Sequence, residues 1–401
     1  VGQEVTIRVA YQPLQQQRNV ETVIHMPWRS FDFFIANREG TPEKLAEWLK
    51  SVHATVCQPL LREADDLAYY RGLPEDVLDP LVADYEGDFL ADFIEECHKR
   101  EIKVIGGVYL GSRMTLQQYP DAAVVKRTGE AEARQACFNN PVGQKRNFEV
   151  IRHLVRNYQL DGLILDDNFE LQNYDCCCGV CQDGFREYCA KHGVTYQAPS
   201  QAVDSGVMGD HWVGYKLEAT RNLATQVTQI AHERGIPAGG WVAVGMRSAH
   251  LAPVFDFLGG MVYAEPPRAA RLMLSGLDSC RFITLLWGPD QEPERLQLEF
   301  RQAIWSGSRI VGFWVYPPGH PGGGGVKIAE GSFEAIASDF AGAEDEWFKF
   351  YRENLLISRV GASRPPAGWL AEGEPLVADA HSCNPPSCLR LRDRFGEFLR
   401  R

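Results

Sequence analysis

Residues 158–188 read YQLDGLILDDNFELQNYDCCCGVCQDGFREY, and the organisation of the chain follows outward from them. An apolar run of Leu163, Ile164 and Leu165 follows Asp161-Gly162 and ends in two adjacent carboxylates, Asp166 and Asp167. So short a run without alternation, opened by a turn signal, suits a parallel strand buried on both faces. Soon after it come the thiols Cys176, Cys177, Cys178 and Cys181. A carboxylate pair at a strand end, closely followed by thiols at metal-binding spacing, predicts a site rather than a packing feature.

On either side of this strand the same unit recurs. Strands are expected at 20–26, 54–61, 103–111, 237–245, 257–265, 281–288 and 309–316. Helices are expected at 41–53, 87–102, 147–160, 217–236 and 295–307, the first opened by Thr41 with Pro42 at its first position. Eight short apolar strands alternating with amphipathic helices predict an α/β fold, a (β/α)8 TIM barrel. A doubly wound open sheet has the same alternation, but eight units and no early GxGxxG favour the barrel. The expected division is an N-terminal edge segment at 1–20, a catalytic barrel at 21–345, and a C-terminal helix with an accessory tail at 346–401. About thirty residues after the third strand read as loop.

The 401 residues carry a net charge of −12, with 45% hydrophobic and 23% charged residues. The acidic balance argues against a nucleic-acid partner. No apolar run approaches the roughly 18–20 residues of a membrane span, so no membrane partner is expected. Eleven cysteines, odd in number and crowded between Cys176 and Cys189, suit metal and free thiols better than a disulfide framework. With no basic-then-apolar leader at Val1, this predicts a cytoplasmic protein, although the missing initiator Met leaves room for an upstream signal. A homo-oligomer is compatible with all of these features.

Barrel enzymes draw their reacting groups from the C-terminal ends of the strands. In chain order those ends offer His25 and Trp28, Glu63, Tyr109 and Arg113, Asn140, Asp166 and Asp167, Trp241, Glu265, Trp287, then Trp314 and Tyr316. Aromatic faces stack on the apolar faces of sugar rings, while carboxylates and amides bind their hydroxyls, so this rim predicts a saccharide pocket. Glycoside hydrolysis needs two carboxylates about one bond. One of Asp166 and Asp167 is the expected first carboxylate, and Glu265, at the end of a strand of small and apolar residues, the expected second. Strand alternation lets only one of Asp166 and Asp167 face the axis directly, and the other would bind or orient substrate. Glu63, Asp290 and Glu292 are weaker claimants to the second role. No G-x-S-x-G elbow or H-E-x-x-H sequence occurs.

Cys176, Cys178 and Cys181 form C-x-C-x-x-C, and Cys137, in the preceding loop, is the natural fourth thiolate for a structural zinc ion. Buried free thiols, a redox pair, or a catalytic zinc on three cysteines are the alternatives. This constellation resembles the structural zinc site of the family 42 glycoside hydrolases, the bacterial β-galactosidases. There an isolated Cys, matched here by Cys137 in ACFNNP, joins a C-x-C-x-x-C after strand four. That family carries Asn-Glu at the end of strand four, where this chain has Asp166-Asp167. DGLILDD is instead similar to uncharacterised glycosidase-like barrels whose strand four ends Asp-Gly-x-x-x-Asp-Asp. It also resembles the α-retaining α-amylase and dextranase families, which implies Asp166 as nucleophile, five residues after Asp161. The resemblance implies a retaining, two-carboxylate glycoside hydrolase acting on a saccharide. A barrel that binds sugar without cleaving it is the rival reading.

Overall fold

Eight parallel strands close on themselves in the computed structural model. It describes residues 21–315 apart from 27–29, 32–39, 64, 74–77, 167–168, 170–175, 203–205, 243–249, 262–281, 288–292 and 306–309. The strands are Glu21–Met26 (β1), Val56–Arg62 (β2), Lys103–Val108 (β3), Gly162–Leu165 (β6), Ala238–Val242 (β7), Phe257–Met261 (β8), Phe282–Trp287 (β9) and Ile310–Trp314 (β10). Each pairs with its successor in this order and β10 returns to β1, with Glu21 opposite Ile310. This is the expected (β/α)8 barrel. The expected segments 1–20 and 346–401 lie outside the described residues.

Side chains alternate along each strand, and the two faces are buried in different company. Val23, Val56, Ile105, Ile164, Phe257, Ile283 and Ile310 fill the barrel interior. Their neighbours Ile24, Cys57, Val104, Leu163, Leu258, Phe282 and Val311 face outward into the larger core shared with the helices. That double burial is why these strands read as unbroken apolar runs.

The surrounding helices begin where their capping residues dictate. Pro42–Ser51 (α1) is capped by Thr41, whose hydroxyl accepts from Lys44 N at 3.2 Å. A short turn of helix, Pro80–Asp84 (α2), precedes Phe89–Lys99 (α3), which is capped by Asp88. Pro141–Asn157 (α5) starts earlier than expected, because Asn140 Oδ1 accepts from Val142 N at 3.0 Å and Pro141 supplies the first helical φ. After Gly179–Lys191 (α6) and Pro199–Ala202 (α7) comes Gly206–His232 (α8), longer than the expected helix by its first three turns. Pro293–Trp305 (α9) precedes β10.

The stretch after β3, expected as loop, is folded. It holds the helix Arg113–Gln118 (α4) and an antiparallel pair, Ala123–Val125 (β4) and Ala131–Ala136 (β5).

At the N-terminal face of the barrel one arrangement occurs twice. Asp161, just before β6, accepts from Val104 N at 2.7 Å and meets His98 Nε2 at 2.8 Å. Asp256, just before β8, accepts from Ala238 N at 2.8 Å and meets His232 Nε2 at 2.7 Å. Each carboxylate thereby joins the end of a helix to the start of the strand that follows it.

Candidate active site and cysteine cluster

Asp166 continues the alternation of β6 on the side of Ile164, the side of the barrel interior. Its backbone N–H donates to Val108 O at 2.9 Å, so the ladder with β3 extends to it, and it is buried. Asp167 lies outside the described residues, as do Glu265, Trp28 and Tyr316; for Trp287 only the strand position is described.

Glu63 comes just after an irregularity in β2. Leu60 pairs with Gly107 but Arg62 pairs with Val108, so β2 holds one extra residue there. Arg62 runs outward: its Nη1 donates to Asn147 Oδ1 on α5 at 2.6 Å, and its Nη2 pairs with Asp66. Glu63 follows directly, outside the strand, with its backbone N–H donating to Leu67 O at 2.9 Å. Glu63 is buried, and its Oε1 accepts from Tyr69 Oη at 2.5 Å.

The network beneath this turn was not legible in the sequence. Asn147 Oδ1 also accepts from Gly111 N at 2.9 Å, and its Nδ2 donates to Gly111 O at 3.2 Å and Gly143 O at 2.9 Å. Asp66 Oδ2 accepts from Met114 N at 2.8 Å. Arg62, Asp66 and Asn147 are all fully or almost fully buried. They tie the ends of β2 and β3 to α5.

His25, Gln58 and Trp241 lie across the barrel beneath the mouth. Trp241 Nε1, which can only donate, faces Gln58 Oε1 at 3.1 Å. The same oxygen faces His25 Nδ1, so Nδ1 carries the imidazole proton and Nε2 keeps its lone pair. Burial pulls the His25 imidazole down to about 4, opposed by the bond to Gln58. The Gln58 amide nitrogen is buried without a hydrogen-bond partner among the described residues.

The expected stacking role of Trp241 meets a packing reason against it. The ring is 0% exposed and edge-on to His25, and only the missing side chain of Gly259 makes room for it. Asn140 likewise spends its side-chain oxygen on capping α5. Arg113 is exposed at the start of α4, Tyr109 is buried at the end of β3, and Trp314 is half-buried at the end of β10 opposite His25.

The second grouping sits beside the barrel. Sulfurs of Cys137, Cys176, Cys178 and Cys181 all lie within 4.8 Å of one another, and all four residues are buried. A tetrahedron with Zn–S of about 2.3 Å has S···S edges of about 3.8 Å, and Cys137 and Cys181 stand 3.6 Å apart. Cys177 and Cys189 are outside the group. The hairpin of β4 and β5 supplies Cys137 and fastens the other thiols: Cys137 N donates to Ala122 O and Cys177 N to Val125 O, each at 2.7 Å. Asn139 Nδ2 donates to Cys181 Sγ at 3.3 Å, and Lys216 Nζ, from α8, reaches the same sulfur at 3.0 Å. Hydrogen bonds from the other three thiols, aided by the Lys216 charge, hold the Cys181 thiol far below the usual range. Cys137 is pushed up by the same contacts seen from the other side.

A profile of the family described as hypothetical glycosyl hydrolase 6 (GHL6) matches residues 41–167, less than half of the chain, from α1 through the acid pair. No curated protein sequence matches. Among solved structures the chain is similar to α-L-fucosidase isoenzyme 2 from Paenibacillus thiaminolyticus, at 17% identity and a TM-score of 0.59. The match covers 82% of this chain and 50% of that one, so this chain spans half the length of the fucosidase. It is also similar to the PgaB (BpsB) glycoside hydrolase domain from Bordetella bronchiseptica, at 14% identity and a TM-score of 0.55, covering 81% of this chain and 98% of that domain. At these identities the likeness is one of fold. Among the described residues no helix is long and apolar enough to cross a membrane.

Proposed function

We propose that this chain is a glycoside hydrolase working through two carboxylates with retention of configuration. The observation that carries the reading is Asp166, buried on the interior side of the barrel at the C-terminal end of β6, where reacting groups of this fold gather. The glycosyl hydrolase profile, which ends on the acid pair, supports it. Asp166 attacks the anomeric carbon and forms a glycosyl ester as the glycosidic bond breaks. Glu265 protonates the departing oxygen, then takes a proton from the water that cleaves the ester. Asp167 orients the substrate hydroxyls. Glu63, buried just past the C-terminal end of β2, is the described carboxylate that would replace Glu265 as acid/base. His25 Nε2 is an acceptor suited to a sugar hydroxyl.

The four cysteines suit a structural zinc ion, because four thiolates leave no open position for water. Such an ion would bind the loops after β3 and β6 together and steady Asp166.

Hydrolysis of a panel of 4-methylumbelliferyl glycosides by the wild-type chain and by Asp166→Asn tests the proposal. Loss of turnover in the variant, with its melting temperature kept, is the expected result. Equal turnover by both would remove Asp166 from the chemistry. Saturable sugar binding without cleavage by the wild type would replace the hydrolase with the sugar-binding barrel.

A further inference from the structure

We propose that Lys216 is the counter-ion of a metal–tetrathiolate centre on Cys137, Cys176, Cys178 and Cys181, and that metal occupancy thereby docks α8 onto the cysteine loop. The inference rests on reading the cluster as a metal site.

Lys216 is 0% exposed, and among the described residues no carboxylate pairs with it. Its ammonium donates to Cys181 Sγ at 3.0 Å and to Cys176 O at 2.8 Å, and it stands over the Trp212 ring at 4.6 Å and the Tyr215 ring at 5.5 Å. A buried ammonium needs a negative partner, and carbonyl and ring faces supply only dipoles and quadrupoles. The thiolates supply the charge. A divalent ion on four of them carries a net charge of −2, in a pocket otherwise walled by Val124, Phe185, Trp212 and Tyr215. That excess needs a cation and N–H···S donors around it, which Lys216 and Asn139 provide on Cys181. Each burial supports the other: the thiolates compensate the lysine, and the metal without the lysine would leave the full −2.

The consequence reaches the barrel wall. Lys216 lies in the first half of α8, whose C-terminal end at His232 is joined through Asp256 to the start of β7. Withdrawing the metal removes the bonds that fix Cys176 and Cys181 in one place under Lys216, and with them the fixed contact that draws α8 onto the Cys176–Cys181 segment.

The test uses Zn2+ with the whole reduced chain. Metal content is measured after desalting, and affinity by competition with a chromophoric chelator, for wild type, Lys216→Met and Lys216→Arg. Backbone hydrogen exchange over residues 206–220 is followed in the wild type with and without Zn2+. The expected results are one bound ion in the wild type and affinity weakened about 10–100-fold in Lys216→Met, the usual effect of removing a group that supports a ligand. Lys216→Arg should recover part of the loss, and exchange over 206–220 should quicken when Zn2+ is withdrawn. A wild type that binds Zn2+ with affinity unchanged in Lys216→Met, or with exchange over 206–220 indifferent to the ion, overturns the role of Lys216 while leaving the metal site standing. A reduced wild type that binds no Zn2+ overturns the metal site and the inference with it. Should Lys216→Met fail to fold, the exchange measurement on the wild type decides alone.

Discussion

Asn147→Ala removes the residue on which the rim at β2 and β3 depends. The side chain makes four hydrogen bonds: from Arg62 at 2.6 Å, from Gly111 N at 2.9 Å, to Gly111 O at 3.2 Å and to Gly143 O at 2.9 Å. Three bonds to neutral groups at about 1 kcal/mol each, with one to a guanidinium at about 1.5–3 kcal/mol, sum to about 4.5–6 kcal/mol. Partial collapse and entry of water offset some of that, so the expected loss of stability is about 3–5 kcal/mol. Against a total of about 5–15 kcal/mol for a folded domain, this is a large fraction. Asn147→Asp keeps both acceptor contacts but sets a buried carboxylate oxygen against the Gly111 and Gly143 carbonyls, so it should not restore the stability that the alanine variant loses. Urea unfolding followed by tryptophan fluorescence and far-UV circular dichroism reads both variants against wild type. A loss below about 1 kcal/mol for Asn147→Ala would refute the reasoning, because the Arg62 guanidinium and Gly111 N–H would then have found other partners.

Two predictions concern pH. The hydrogen bond to Asp161 raises the His98 pKa above its usual value near 6.5, against a smaller opposing effect of burial. A raised folded value means that the contribution is fully present below about 6.5 and is lost as pH rises through the folded value. Wild type should therefore exceed His98→Gln in stability by more at pH 6 than at pH 9; an equal difference at both would show that the bond does not favour the protonated ring. His25 runs the other way, since burial lowers it to about 4 and the fold favours the neutral ring. Its contribution is present above about 6.5 and is lost as pH falls toward the folded value. Nitrogen NMR of the imidazole at pH 6 should report a neutral ring with its proton on Nδ1, and an imidazolium there would overturn the assigned role of Gln58.

The barrel was legible because burial on both faces leaves a mark that neither side-chain detail nor loop geometry disturbs. Six of the eight strands lie within the expected segments, while β2 runs one residue past its own, to Arg62, and β6 begins one residue before Leu163. The β4–β5 pair was not legible: Ala131–Ala136 reads AEARQA, exposed or half-buried except at Ala136 and without a β-branched residue, and owes its conformation to the pairing itself. Trp241 reads as a rim aromatic by position, and only the facing Gly259 explains why it lies inside. The bulge before Glu63 leaves no trace in Val56–Arg62, because one extra residue in a strand is defined by its neighbour, here Val108. The grouping of the four thiols was legible, but Lys216 stands thirty-five positions after Cys181 on a helix whose pattern gives no reason to bury a lysine. A contact of that kind belongs to the fold.

The paired aspartates at the N-terminal face have a further consequence. In each, a histidine near a helix end is followed six positions later by the residue whose N–H the aspartate takes, Val104 in one and Ala238 in the other. In each, the aspartate's own N–H returns 2.9 Å to the carbonyl of that residue. The floor of the barrel thus uses an interchangeable fastener, written twice in the same spacing, while the opposite end carries the one-off features: a bulge, a buried guanidinium and a cysteine cluster. Each fastener ties a helix end and two neighbouring strands within one stretch of chain, so the floor is held by contacts between consecutive units of the barrel.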